Sequence, residues 1–171
     1  MDARDSKKHM GLLIISPLNI SMPDILYFSP FFILKNGQSH IQGLMCQANT
    51  HTFTFLYARV KPTKSEAEDI RNCTRESEYV IGDLNLDPQE VDDEQKLVII
   101  RGQDKISLLN EITTKQNKQL DHILGRITEN RLVYATSLKN FISDHKVIII
   151  RLSESYSKFI SDPRLTDQEQ R

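Results

Sequence analysis

Seven short apolar runs, each four to nine residues long, limit this chain to a fold rich in β-strands. Polar or turn-forming residues separate the runs, which lie at residues 11–16, 41–47, 52–60, 79–82, 106–109, 132–136 and 146–152. Residues 52–57 alternate polar and apolar side chains, which predicts a strand with one face in the core. Residues 147–150 are all apolar and β-branched, which predicts a strand covered on both faces.

Two segments have the pattern of helices, residues 64–73 after Pro62 and residues 92–100 after Pro88. Because strands and helices are interleaved, the sequence predicts an α/β or α+β protein. The sequence contains no internal repeat, low-complexity run or linker rich in proline and glycine. We therefore expect one domain at residues 11–152, with a polar leader at residues 1–10 and a polar tail at residues 153–171.

The composition is that of an ordinary globular protein and leaves several classes of partner open. With 22 basic and 23 acidic residues the net charge is -1, which neither suggests nor excludes a polyanionic substrate, and a local basic patch remains possible. Cys46 and Cys73 have no ligand spacing, so neither a zinc site nor a disulfide framework is expected, and a reduced setting, nuclear or cytoplasmic, fits best. The apolar stretch at 25–34 contains Ser29 and Pro30 and is shorter than the roughly 20 residues of a membrane span. We expect no membrane partner.

Three short motifs combine acidic or amide side chains with apolar residues. GDLN at 82–85 follows the run Tyr79-Val80-Ile81, LDHI occupies 120–123, and SDH at 143–145 precedes the run at 146–152. Gly82 lets the backbone leave its strand tightly, which places Asp83 and Asn85 at the strand's carboxyl end, where open α/β sheets bind ligands. Each motif alone is also compatible with an ordinary turn, because Asp, Asn and Ser form turns by local hydrogen bonds. Their order and chemistry together predict a functional site.

GDLN, LDHI and SDH in this order, with Tyr57 in FLYARVKP upstream, resemble the endonuclease/exonuclease/phosphatase superfamily, the deoxyribonuclease I-like proteins. The resemblance covers residues 11–152. It implies two mainly antiparallel β-sheets packed face to face with helices on the outer faces, a four-layer sandwich. The segment NEITTKQNKQLDHIL further resembles the endonuclease domains of mobile elements, which favours DNA as the substrate.

The resemblance also implies a role for each motif residue in metal-dependent phosphodiester hydrolysis. Asp83 would orient and deprotonate the attacking water, and Asn85 would position that water or donate to a phosphate oxygen. His145 would contact the scissile phosphate, and Asp121 would hydrogen-bond His145 and raise its pKa. These four residues form the expected catalytic set.

A divalent cation and contacts to the substrate belong to the same implied chemistry. The cofactor would be Mg²⁺ or Mn²⁺, since hard cations prefer oxygen ligands. Its expected ligands are Asp83, Asn85 and Asp144. The expected contacts to phosphate or DNA are Tyr57, Arg59 and Thr114, and Lys61 could extend them to flanking phosphates.

The sequence departs from the family pattern at its start. The family's domain opens with two further strands that carry an Asn and a metal-binding Glu, and neither has a counterpart here; the acids Asp2 and Asp5 lie on the polar leader. We therefore expect a domain lacking the first strands, with an exposed edge and apolar face and a weakened metal site. A missing N-terminal segment or fused polyprotein domains would complete it. The alternatives are a catalytically silent or truncated domain that only binds, and an inositol or small-molecule phosphatase.

Several polar residues are expected to lie outside the site. His9, His40 and His51 match no motif and are expected at the surface or at strand edges. His122 is expected to pack or hydrogen-bond beside the catalytic acid that precedes it. The acidic run at 92–94 is expected to be solvated at a helix start, where negative charge suits the helix dipole.

Overall fold

A computed structural model describes residues 25–35, 38–48, 51–126, 132–139 and 143–153. The predicted strand at 11–16, the polar leader, His9 and the tail after residue 153 lie outside the described residues. The described strands are β1 (Ile25–Lys35), β2 (Gln38–Ala48), β3 (His51–Ala58), β4 (Tyr79–Asp83), β5 (Ile106–Ser107), β6 (Asp121–Gly125), β7 (Leu132–Leu138) and β8 (Val147–Ser153). The described helices are α1 (Lys64–Cys73) and α2 (Val91–Arg101).

The strands form a six-stranded sheet, in the order β1-β2-β3-β4-β6-β5, and a two-stranded sheet of β7 and β8. Neighbouring strands run antiparallel except β3 and β4, which are parallel and are joined through α1. The mixed α/β class predicted from the interleaved runs is confirmed, with one large sheet, one small sheet and helices.

Strand β1 was not expected from the sequence, because Ser29 and Pro30 interrupt its apolar run. Pro30 lies opposite Leu44 of β2. Within the part of the chain that the structure describes, β1 pairs with β2 alone, so it is an edge strand. A central strand donates N–H groups to a neighbour on each side, and proline has no N–H to donate. An edge strand has a neighbour on one side only, so it tolerates a proline.

The predicted helices begin and end within one residue of their expected bounds. Helix α1 starts at a capping box: Thr63 Oγ1 accepts from the Glu66 N–H at 3.3 Å, and Glu66 Oε2 accepts from the Thr63 N–H at 2.7 Å. This reciprocal pair satisfies two N–H groups that the first turn leaves without partners. The start of α1 is therefore fixed by residues next to it in sequence.

The core lies between the large sheet and the two helices. Leu56 and Ala58 of β3 point into it and are buried, together with Val80 of β4. Phe53 and Phe55 lie on the other face of β3, where they are half-buried and stack with ring centroids 6.2 Å apart. Strand β3 therefore has one face in the core as predicted, but that face carries Thr54, Leu56 and Ala58 and not the phenylalanines.

Strand β8 differs from its prediction. Val147 and Ile149 are 49% and 37% exposed, so the run at 147–150 is not covered on both faces. Tyr134 and Leu138 of the partner strand β7 are exposed as well. The physical reason is that nothing among the described residues covers this face of the β7–β8 pair, so its apolar side chains contact solvent.

No helix in the described ranges is both long enough and apolar enough to cross a membrane.

Gly82 occupies a position in β4 that no other residue fits. Its φ of 150° lies in a region that side chains disfavour, and a Cβ atom there would collide with the backbone carbonyl oxygen of Leu56. The close approach arises because Gly82 is the register partner of Leu56 across the parallel β3–β4 pair. The glycine of GDLN is thus required for the packing of two strands, whatever chemistry follows it.

We predict that Gly82→Ala lowers the free energy of unfolding by about 3 kcal/mol, because the backbone carbonyl of Leu56 cannot move without disrupting the sheet. Urea unfolding followed by far-ultraviolet circular dichroism measures the change. Gln103→Ala, at an exposed turn position, is the control and should change stability by less than about 0.5 kcal/mol. Equal stability of Gly82→Ala and the control would contradict the steric account.

Candidate active site

The three motifs meet at the ends of β4 and β6. Asp83, the last residue of β4, lies directly opposite Asp121, the first residue of the antiparallel strand β6. Tyr57 of β3 is the register partner of Asp83 on the other side. The large sheet therefore brings the aspartates of GDLN and LDHI together and places the predicted tyrosine beside them.

The backbone after β4 turns tightly and fixes Asn85. Asp83 Oδ1 accepts from the Asn85 N–H at 3.0 Å, an Asx turn, and Asn85 has a positive φ of 51°, which asparagine tolerates better than most residues. The Asn85 Nδ2 group donates to the Ala58 carbonyl at 2.7 Å. One amide hydrogen of Asn85 thus holds the loop against β3, and the amide has a second hydrogen and its oxygen for other partners.

His145 is held by one acid and faces another. Its Nδ1 lies 2.9 Å from Asp121 Oδ2, and its Nε2 lies 3.9 Å from Asp83 Oδ2. Because an ionised carboxylate only accepts hydrogen bonds, Nδ1–H donates to Asp121. The structure thus brings Asp83, Asp121 and His145, three of the four predicted catalytic residues, into one cluster with Asn85 at its edge.

Thr113 positions Asp121, and the sequence reasoning missed it. Its Oγ1 accepts from the N–H groups of Leu120 and Asp121 at 3.0 and 3.1 Å, and its side chain is fully buried. Two backbone donors at the start of β6 would lose their partner without this hydroxyl. Only the run of two threonines before LDHI hinted at the role, because the hydrogen bonds join residues seven and eight positions apart.

The turn that contains Thr114 ties the SDH motif to the large sheet. Thr114 forms an isolated β-bridge with His145, the Lys115 N–H donates to the Asp144 carbonyl at 2.9 Å, and the Lys146 N–H donates to the Thr113 carbonyl at 2.7 Å. Thr114 itself is buried, and its hydroxyl donates to the Lys118 carbonyl at 3.1 Å. The turn therefore positions His145, and the role of Thr114 in binding phosphate stays a prediction.

Burial and neighbouring acids alter the chemistry of Asp83. Burial is the largest cause and raises the pKa of Asp83 to about 6, and the charges of Asp121 and Asp144 act in the same direction. The hydrogen bond from the Asn85 N–H and the charge of His145 oppose the shift. A carboxylate with this pKa is a stronger base than an ordinary aspartate and is still largely ionised at neutral pH.

The pKa of His145 moves upward through its partners. Burial alone would lower the pKa, but the hydrogen bond to Asp121 and the charges of Asp121, Asp83 and Asp144 outweigh it and raise the pKa of His145 above its ordinary value. The exposed Asp144 has a lowered pKa, chiefly because of a hydrogen bond with its own backbone. The cluster therefore combines an aspartate that is more basic than usual, Asp83, with a histidine whose protonated form is favoured, His145.

The two basic residues predicted to contact phosphate, Arg59 and Lys61, differ in their surroundings. Arg59 is exposed beyond the end of β3. Lys61 Nζ lies 2.7 Å from Asp93 Oδ2 and 2.8 Å from Glu90 Oε2, so it already has two acidic partners. Moving Lys61 would break these two ion pairs, and the contact of Arg59 with phosphate or DNA stays a prediction.

The acidic run at 92–94 is not uniformly solvated, although the sequence predicted that it would be. Asp93 is fully buried; its Oδ2 accepts from the Asp87 N–H at 3.0 Å, and Lys61 and Lys96 lie within 3.5 Å of its carboxylate. The prediction was wrong for Asp93 because the loop after GDLN and two lysines supply partners that its sequence neighbours do not reveal. The paired Asp93 holds this loop against the start of α2.

The other described histidines, His40, His51 and His122, have partners outside the cluster of Asp83, Asp121 and His145. His51 begins β3 but is buried rather than superficial, because its Nδ1 lies 3.0 Å from Glu78 Oε2. His40 of β2 is half-buried near Glu66. His122 is buried, with Nε2 2.8 Å from the Leu86 carbonyl, which confirms that it packs and hydrogen-bonds beside Asp121.

The oxygen donors near His145 suit Mg²⁺ in kind but not in number. Carboxylates of Asp83 and Asp144 and the Asn85 amide oxygen are the ligand types that a hard cation prefers. Across the described ranges, however, no three His, Cys, Asp or Glu side chains lie close enough together to hold a metal ion. Mg²⁺ often keeps several waters and uses one or two carboxylates plus substrate phosphates, so these residues provide part of a site.

A cleft of about 440 Å³ adjoins His145. His145 and Asp144 form one wall, and the turn carrying Thr114 forms another. Its basic lining residues are Lys115, Lys139 and Lys146. The charge of this cleft therefore favours an anionic ligand beside His145.

Comparison with known proteins identifies the fold. No protein-family model matches the sequence, and no curated protein matches it either. Among solved structures, the chain is similar to CdtB, the biologically active subunit of cytolethal distending toxin, with a TM-score of 0.51 and 16% identity over 74% of this chain and 56% of that one. It is also similar to the human Nocturnin catalytic domain with bound sulfate (TM-score 0.47, 16% identity, 77% and 60% covered) and to Staphylococcus aureus beta toxin (TM-score 0.43, 12% identity, 65% and 56% covered).

The likeness to the toxin subunit shows the deoxyribonuclease I-like fold that GDLN, LDHI and SDH predicted. This chain spans just over half the length of that subunit.

We predict that Asp121→Asn lowers the pKa of His145, because a neutral amide cannot stabilise the imidazolium as a carboxylate does. Since the folded pKa of His145 is raised, its contribution to stability is present below about pH 6.5 and is lost as pH rises through the folded value. Nuclear magnetic resonance titration of the ring protons measures the pKa, and urea unfolding at about pH 5.5 and about pH 9 measures the stability. Asp92→Asn, at an exposed acid of α2, is the matched control; an equal His145 pKa in both variants would contradict the assignment.

Proposed function

We propose that this chain carries the reacting groups of a metal-dependent phosphodiester hydrolase, most closely suited to an endonuclease acting on DNA. One observation carries the proposal: His145, hydrogen-bonded to Asp121 at 2.9 Å, faces the half-buried carboxylate of Asp83 at 3.9 Å. Each residue comes from a different motif, and a turn, a strand start and a strand end bring the three together.

The spacing of the cluster suits proton transfer at a phosphate. The 3.9 Å between His145 Nε2 and Asp83 Oδ2 is less than twice a hydrogen bond of about 2.8 Å, so an oxygen to one side can contact both atoms. Asp83, with its raised pKa, accepts the proton of the attacking water. His145 donates from Nε2 to a phosphoryl oxygen and stabilises the charge that develops there, while Asp121 holds the ring.

Mg²⁺ is the proposed cofactor, with Mn²⁺ as its substitute. Asp83, Asn85 and Asp144 would hold it together with water and the substrate. The bound cation would neutralise charge on the phosphoryl oxygens and assist the departing oxygen. Because the described donors form only part of a cage, we expect weak affinity in the absence of substrate.

The lysines of the cleft favour a substrate with several phosphates. Lys115, Lys139 and Lys146 line the cleft beside His145, with Asp144 as the acidic residue of its lining. Nucleic acids present a phosphate at every nucleotide, and each one neutralised by a lysine releases a counterion. A compact ester with one phosphate would leave most of this charge unused.

A second candidate is a domain that binds nucleic acid without cleaving it. The incomplete set of metal donors favours it, because no three His, Cys, Asp or Glu side chains among the described residues lie where they could hold a metal ion together. The cleft would still attract the polyanion in such a protein. Plasmid cleavage distinguishes the two functions.

We expect the chain to nick supercoiled plasmid in the presence of Mg²⁺. Asp83→Asn and His145→Gln should each reduce the nicking rate at least about 100-fold, because they remove the proton acceptor and the proton donor. Agarose gel electrophoresis of relaxed and supercoiled forms gives the rates.

Asp92→Asn is the matched control for charge removal and should nick at the rate of the unaltered chain. Full activity of Asp83→Asn would overturn the residue assignments. DNA binding without nicking would establish the second candidate. Turnover of an inositol phosphate with plasmid untouched would replace DNA by a small phosphate ester.

We also expect Lys115→Gln/Lys139→Gln/Lys146→Gln to weaken binding of a DNA oligonucleotide and to reduce its log-log salt slope by about three, one unit for each phosphate that a lysine no longer neutralises. Fluorescence anisotropy over a salt series measures both quantities. Hydrolysis of a small diester such as bis(4-nitrophenyl) phosphate should change little. Lys64→Gln, at an exposed lysine of α1, should leave the salt slope unaltered; the same slope in the triple variant would remove the cleft from the DNA path.

A further inference from the structure

A second cavity, of about 970 Å³, opens at the other end of the large sheet. Arg126 lines it and directly follows Gly125, whose register partner is Tyr79, the first residue of β4. Asp83 is the last residue of the same five-residue strand, about 13 Å away at strand spacing. This cavity is therefore separate from the cluster around His145.

Basic groups outnumber acidic ones in the cavity lining. Four cationic side chains contribute to it, from the end of α1, the turn after α2 and the end of β6: Arg71, Arg75, Lys105 and Arg126. Two carboxylates, Glu68 and Asp104, also line it. The side chains alone therefore give an excess of two positive charges.

A single carboxylate oxygen accepts from two of the cations. Asp104 Oδ2 lies 2.9 Å from Arg126 Nε and 3.2 Å from Lys105 Nζ. Lys105 is the deeper of the two, with a side chain 3% exposed, and burial lowers its pKa, with Arg126 and Arg71 acting in the same direction. A buried ammonium normally requires good pairing, and this one shares its partner.

The two arginines of the α1 end point to an anion more directly. In the described part of the chain, neither guanidinium of Arg71 and Arg75 forms a hydrogen bond or ion pair with another residue. Arg71 is nevertheless positioned, because its Nε and Nη2 would lie 3.2 and 3.3 Å from a Cβ at Gly102, which has a φ of 63°. Two guanidiniums thus contribute positive charge without a direct ion pair to a described carboxylate.

Helix dipoles account for only part of this charge. The last turns of α1 and α2 both lie at the cavity, and each helix C-terminus carries about half a negative charge. Two such ends offset about one of the two excess positive charges. A positive charge of about one remains for a ligand to neutralise.

We propose that this cavity binds the phosphate group of a small phosphorylated ligand. Phosphate oxygens accept paired N–H bonds from guanidinium groups, and Arg71 and Arg75 present two of these groups beside the Lys105 ammonium. The volume exceeds what a single phosphate needs, and Ile99 and Ile100 add an apolar wall that a nucleoside or similar group could contact. The site is independent of the proposed hydrolysis.

The test is a titration of the full chain with sodium phosphate, and separately with a nucleoside monophosphate, at constant ionic strength. Nuclear magnetic resonance shifts of the Gly102 and Lys105 amides should change and saturate, and Arg71→Gln/Arg75→Gln should weaken the binding at least about tenfold. Tighter binding of the nucleotide would identify the larger ligand, and tighter binding of phosphate the free ion.

Arg75→Gln and Lys64→Gln form a matched pair, since each removes one exposed positive charge and only Arg75 lines the cavity. Arg75→Gln should weaken binding several-fold, and Lys64→Gln should not. Equal affinities in this pair, shifts that do not saturate, or shifts that sodium chloride reproduces would overturn the proposal. Circular dichroism melting of each variant establishes that it is folded.

Discussion

The hydrogen bond between Asp121 and His145 joins the large sheet to the segment that leads into the small sheet. Asp121 starts a strand of the large sheet, and His145 precedes β8 of the small sheet. Backbone bonds from the threonine turn reinforce the junction, and Glu111 adds side-chain contacts to Ser137 at 2.6 Å and 3.0 Å. Asp83, Asp121 and His145 come together only when both sheets are in place, so the cluster depends on this junction.

Asp93 and Asp83 show how the groups around a carboxylate determine its properties. Asp93 is fully buried, but Lys61 and Lys96 neutralise it and the Asp87 N–H donates to it, so its role is to hold a loop. Asp83 is less buried, yet its neighbours are mainly other acids, with the Asn85 N–H and His145 opposing their effect on its pKa. Burial without full compensation makes an acid costly to ionise, and Asp83 is therefore a stronger base than an ordinary aspartate.

Sequence reasoning succeeded where structure is determined by neighbours along the chain. The bounds of α1 were predicted correctly because Pro62, Thr63 and Glu66 fix its start locally. Strand β1 was missed because whether Pro30 is tolerated depends on the position of its strand in the sheet, which no local pattern reveals. The exposure of Val147 likewise depends on what packs against the face of β8, which no local pattern reveals.

For the site, the motifs predicted which residues would converge, but not what positions them. The order GDLN, LDHI, SDH was informative because of a family resemblance, since 24 residues separate Asp121 from His145 and no periodicity links them. Thr113 escaped notice because its hydroxyl serves backbone groups of another segment. Long-range interactions of this kind are set by packing and carry little signal in a single sequence.

Gly82 has a consequence for how this sequence can change over time. Its missing side chain is required by the approach of Leu56, so selection for folding alone preserves it. Asp83 and His145 are under no such packing requirement, since both are partly exposed and neither fills the core. In a lineage that kept the fold without any selection on the site, the glycine of GDLN would persist while the acid and the histidine changed. The four residues of GDLN therefore include one position that folding alone preserves and one that folding does not.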